Sequence, residues 1–192
     1  MERLQMAAVL LSLVDELRER GSWCGETHIQ KSVYFLKELL NVPLGVDFVL
    51  YRYGPYSFEL DEQLARLMAD GVFEEQLMQY PYGPKIVHGA MAKQVLTRFP
   101  KMKEQYASQI SFVAECFGKS NVSELERIAT ALFVTKDGVT SKDVDSRAKR
   151  LIELKPHISI ENAKAAVEKI DAMKEKAEPF LVRQDQSQGC MS

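Results

Sequence analysis

The chain is short of the features that announce a reaction centre, a membrane protein or a disulfide scaffold. Its cysteines are three, Cys24, Cys116 and Cys190, odd in number and far apart. No pair has the close spacing of a metal or redox motif, so free thiols in a reducing cytoplasm are expected. Long apolar runs are missing as well. The run from Met6 to Val14 is only about nine residues, well under the ~20 that a membrane span needs, and Asp15, Glu16 and Arg18 follow it without a small-residue cleavage site. It is read as a helix face, with no membrane association. Neither sign of charge dominates, with 25 basic against 27 acidic residues and a formal charge of −2. Such a balance gives no general pull toward nucleic acid or acidic lipid.

Catalytic and ligand-holding patterns are equally sparse. His28, His88 and His157 have no Cys or His at ligand spacing, which leaves metal binding without support. Gly54-Pro55 and Gly83-Pro84 each put a proline where a phosphate-cradling amide would be wanted. Cys24, beside Trp23 and His28, is the one local candidate for a nucleophile, and a buried structural thiol explains it better. Glu59, Asp61 and Glu62 are neighbours in sequence, but on a helix they splay over more than one face and form no acid–base pair. No catalytic residue, cofactor or metal is therefore assigned, and the chain is expected not to be an enzyme.

What is present is a core, at 46% hydrophobic residues, and clear periodicity. Leu4, Ala7, Leu11, Val14 and Leu17 recur at helical spacing before Gly21. Thr27 to Gln30 has the form of a capping box, and Ile29, Val33, Leu36 and Leu40 carry a second stripe. Phe48 to Tyr53 reads as a strand, stopped by Gly54-Pro55, and Ser57 can cap a third helix that ends before Gly71. Val72–Gln79 and Lys85–His88 flank a Pro/Gly loop as a β-hairpin. After Pro100 come four helical stripes: Met102 to Phe117, a second capping-box start at Ser123 running to Phe133, Val144 to Ile152, and Ile160 to Met173 behind a Ser159 cap.

The expected fold is therefore mainly α (α+β). A winged-helix-like part with a small antiparallel β element, residues 1–98, precedes a helical part, residues 99–178. No linker separates them, so residues 1–178 are read as one compact domain, and the polar stretch 179–192 as a flexible tail.

Winged-helix connectivity raises DNA binding, a reading that charge disfavours. The third helix, which would enter the major groove, turns Glu59, Asp61, Glu62, Gln63, Arg66 and Asp70 outward. Residues 1–100 hold 10 basic and 13 acidic side chains, and residues 101–192 hold 15 and 14, so neither half is a basic footprint. A winged-helix transcriptional regulator stays as the alternative to a protein-contact element.

The densest cluster of recognition-type residues is Tyr51-Arg52-Tyr53-Gly54-Pro55-Tyr56-Ser57. Tyr and Arg are enriched at binding hot spots, yet tyrosines at a strand end also pack over a core edge with the hydroxyl in water, and both readings stand. Tyr80, Pro81 and Tyr82 could extend the patch.

Gln30-Lys31 with Tyr34-Phe35-Leu36, then Tyr53-Gly54-Pro55-Tyr56-Ser57 and the Leu-rich helix ending at Gly71, resemble the Panacea domain of SocA-type antitoxins, and within it the YwgA-like relatives. Ala129 to Phe133 and Leu154-Lys155-Pro156 extend the resemblance over roughly residues 5 to 155. It implies a cytoplasmic prokaryotic or phage protein that neutralises a partner toxin or delivers it to a protease. The longer C-terminal helices depart from the compact antitoxin pattern, which leaves a general interaction module as the broader reading. On that footing the partner-contact candidates are Lys31, Tyr34, Tyr51, Arg52, Tyr53, Gly54, Pro55, Tyr56 and Ser57. Lys31 has a structural alternative, its stem packed and its amine bonded to a carbonyl near the turn.

Overall fold

The computed structural model describes residues 1–79, 83–138 and 143–188, with side chains to Leu181. The first helix, α1 (Arg3–Glu19), is buried on every side from Met6 to Val14, so the apolar run is a central core helix. Gly21, at φ +91°, reverses the chain behind it. Helix α2 (Glu26–Glu38) starts one residue before the expected Thr27 cap. Its N-cap is Gly25, which has no side chain to offer, and Glu26 supplies the negative charge that suits a first turn. Val42, Leu44 and Val46 then alternate inward along the loop that leads to the sheet.

Strands β1 (Val49–Tyr51) and β2 (Gly54–Tyr56) form an antiparallel pair with Val49 opposite Tyr56, Leu50 opposite Pro55 and Tyr51 opposite Gly54. The expectation that Gly54-Pro55 ends the strand is corrected here: these residues are the return strand. Gly54 takes φ +85°, closing the two-residue turn at Arg52-Tyr53, and a two-stranded ribbon consists only of edges, where a proline is tolerated. Ser57 then caps α3 (Phe58–Ala69), its Oγ accepting from the Leu60 amide at 3.1 Å. Gly71 at φ +70° ends that helix, and β3 (Phe73–Gln76) pairs antiparallel with β4 (Lys85–His88).

Beyond the second hairpin lie a short α4 (Ala92–Arg98), which periodicity did not announce, α5 (Pro100–Phe117), α6 (Val122–Lys136), α7 (Val144–Leu154) and α8 (Ile160–Gln188). The cap of α6 is Asn121, accepting from the Glu124 amide at 2.9 Å, so the box expected at Ser123 lies inside the first turn. Helix α8 continues through Pro179, past the boundary expected at Glu178. A proline removes one helical hydrogen bond, and packing on both sides outweighs that loss: Ala177 is buried, and Phe180 sits 5.3 Å from the Phe112 ring. The tail residues 189–192 lie outside the described residues.

Among the described residues the architecture is mainly α with two small two-stranded antiparallel sheets, in the winged-helix-like order helix, helix, hairpin, helix, hairpin, followed by helices. Helix α1 packs on α5, α2 on α5 and α6, and α8 on α6 and α7. Phe35 of α2 stacks on Phe117 of α5 with ring centroids 4.1 Å apart. Among the described residues no helix is long and apolar enough to cross a membrane.

Candidate functional site

The β1–β2 hairpin lies on α2 and α6, and its inner side is held by long polar side chains. A Cβ on Gly54 would stand 3.2 Å from Thr130 Oγ1 and 3.4 Å from the Glu126 carbonyl oxygen, so α6 requires glycine there for close approach as well as for φ. Lys155, just after α7, donates from Nζ to the carbonyls of Tyr51, at 3.0 Å, and Arg52. Lys31 of α2 donates to the Pro55 carbonyl at 2.8 Å. The Gln30 amide brackets Ser57, donating to its carbonyl at 3.0 Å and accepting from its N–H at 3.1 Å. Four backbone carbonyls of the hairpin and its exit are thus satisfied from beneath, as buried polar groups require.

Two ammonium groups and one carboxylate share that buried layer. Glu126 Oε1 lies 3.1 Å from Lys155 Nζ as an ion pair, outside hydrogen-bonding direction, and 3.8 Å from the exposed His157 Nε2. Lys31 is 1% exposed. Loss of water pulls its ammonium down to about 8; Glu126 opposes the shift and Lys155 adds to it.

The outer side carries the rings. Tyr51, Tyr56 and Phe58 form a closed triangle with centroids 5.9, 5.5 and 5.1 Å apart and planes inclined by 44° to 72°. Tyr51 is 56% exposed and Phe58 57%, with Val49 exposed alongside them. Tyr56 is half-buried and donates its hydroxyl to Glu26 Oε1 at 3.1 Å. Its pKa is raised by lost hydration first, then by the Glu26 and Asp61 carboxylates. Arg52 and Tyr53 stand at the turn, Tyr53 59% exposed.

The sequence candidates therefore divide. Tyr51, Arg52, Tyr53 and, in part, Tyr56 reach the surface. Lys31, Tyr34, Gly54, Pro55 and Ser57, expected as contacts alongside them, are buried. Tyr34 packs edge-on to Phe48 at 5.0 Å, and lost hydration raises its phenol pKa. Their part is to hold the hairpin. Residues not singled out include Phe58, Val49 and Glu26 on the outside, and Lys155 and Glu126 beneath. Tyr80, Pro81 and Tyr82 lie outside the described residues.

Cys24 and His28 do not face each other as a nucleophile and its base. Cys24 Sγ lies 3.7 Å from the Val14 carbonyl and burial raises the thiol pKa, while His28 Nε2 donates to the Phe117 carbonyl at 3.0 Å and burial lowers the imidazole pKa. Among the described residues no group of three or more His, Cys, Asp or Glu side chains is placed to hold a metal ion. No protein-family model matches the chain, and no curated protein matches it.

Proposed function

We propose that the chain is a non-enzymatic protein-binding module of antitoxin type, acting in the cytoplasm, that holds a partner protein, a toxin or a protease, against the β1–β2 hairpin. The carrying observation is the ring triangle of Tyr51, Tyr56 and Phe58, which spans the outer side of the hairpin and the start of α3, on a hairpin whose carbonyls are pinned by Lys31 and Lys155. Rigid, half-hydrated aromatics lose little entropy on docking, which makes them effective anchors. The resemblance of Tyr53 to Ser57 and its surroundings to the Panacea domain supports the same partner class. A protein is favoured over DNA because the outward face of α3 exposes Glu59, Asp61, Glu62 and Asp70, which a duplex would repel.

The test places a photo-crosslinking residue at Tyr53, and for comparison at Lys103 on α5, in the cells that carry the gene. A single protein joined through position 53 and not through 103, lost when Tyr51→Ala is added, is the expected result. For the toxin arm, that protein expressed alone arrests growth. Equal crosslinking at both positions ends the proposal.

A further inference from the structure

We infer that the ring face of the hairpin takes a basic segment of its protein partner, with Lys or Arg stems laid across Tyr51 and Phe58 and their cations shared between ring faces and the carboxylates of Glu26 and Asp61. This rests on the reading of the hairpin as a protein-binding surface and adds the chemistry of what it binds.

Charge around the triangle is uneven. Glu26 is exposed and accepts the Tyr56 hydroxyl, and Asp61, exposed and three residues along α3 from Phe58, adds its negative charge to that of Glu26 in raising the pKa of the same hydroxyl. Both carboxylates therefore converge on one edge of the triangle. Neighbouring acids are already engaged: Glu62 pairs with Arg66 at 2.6 Å, Asp47 with Lys37 at 2.7 Å, and Glu59 accepts the Asp47 amide at 2.6 Å. On the cationic side, Lys31 and Lys155 are committed to hairpin carbonyls beneath the sheet, and Arg52 stands at the tip, beyond Tyr51. The Phe58 edge thus combines π faces with two carboxylates.

That combination selects the ligand. An acidic segment would bring its carboxylates against Glu26 and Asp61. A wholly apolar one would strip water from both without compensation. A Lys or Arg side chain offers an aliphatic stem to Val49 and Tyr51 and a cation to the rings and acids, satisfying every group on the face.

Aromatic NMR of the full chain reads the outcome directly. The probes are a short peptide alternating Lys with Leu and its Glu/Leu and Ser/Leu counterparts. The Lys/Leu peptide is expected to shift the ring signals of Tyr51, Tyr56 and Phe58. Its affinity should fall about tenfold in the variant Glu26→Gln with Asp61→Asn, as opposite charges across an interface imply. Glu26→Gln keeps an oxygen for the Tyr56 hydroxyl, so the rings stay in place. Equal binding by the Glu/Leu or Ser/Leu peptide, or unchanged affinity in the double variant, overturns the inference. The titration needs no natural partner: failed crosslinking in cells removes the functional reading and leaves the surface chemistry to stand on the peptides, whereas a crosslink to an acidic segment overturns the surface chemistry alone.

Discussion

Lys31 illustrates how one residue type can be legible while its role is not. Its place beside Gln30 ahead of Tyr34 and Phe35 marked it out, but sequence alone left both a contact and a structural role open. Long stems reach equally well to water or to a carbonyl, and only the tertiary position of the Pro55 oxygen, 2.8 Å from Nζ, decides between them. Burial makes the charge costly. Below about pH 8 the folded and unfolded chains both hold the proton, and the cost is present in full. Between about 8 and the ordinary lysine value of 10.5 the folded chain releases it while the unfolded chain keeps it, so stability rises with pH. Comparison with Lys31→Met isolates this from the titration of the tyrosines and cysteines. The stability difference should move in favour of the wild type by about 2–3 kcal/mol between about pH 7 and pH 10, read from urea unfolding. Parallel pH curves for the two proteins would refute a buried cation at this position.

At the scale of elements, the longer helices are legible because apolar residues recur in each at helical spacing, even where packing buries the other faces too, as in α1. Ser57, Ser159 and Gly71 act as the caps and stop that their types suggest. In sequence the hairpin has the look of a strand and a stop, because three-residue strands carry too few positions for an alternation to register and a proline argues against a strand unless that strand is an edge. Helix α4 escaped for a similar reason, being too short at seven residues to show a period. The Phe58, Glu26 and Asp61 grouping joins two elements, α3 and α2, that lie about thirty positions apart in sequence, which no local pattern can report. Seating of the hairpin on α6 is where the element is most exposed to a single change. Gly54→Ala forces a side chain into positive φ and brings its Cβ against Thr130 Oγ1 and the Glu126 carbonyl, at an expected cost of about 2 kcal/mol or more. Urea unfolding would show it, and wild-type stability in that variant would mean that the hairpin does not rest on α6 as described.

Across the whole molecule, the winged-helix-like part leaves its apolar surfaces for the later helices to cover. Helix α1 is covered by α5 along its length as well as by α4 and β4, Phe35 of α2 finds its stacking partner in Phe117 of α5, and β2 is seated on α6. Removing residues after 98 would uncover α1, α2 and the hairpin together, a loss far larger than the net stability of a typical domain. The two parts are accordingly expected to unfold as one unit. Trp23, the chain's sole tryptophan, donates from Nε1 to the Gly83 carbonyl at 3.2 Å and so reports on the early part, whereas far-UV circular dichroism is dominated by all the helices. Thermal curves from Trp23 fluorescence and from dichroism should superimpose, with one midpoint and one van't Hoff enthalpy. A helical signal that persists after the Trp23 transition is complete would show instead that α5 to α8 stand alone, and the hairpin's support from α6 and Lys155 would then be a contact between two separately stable bodies.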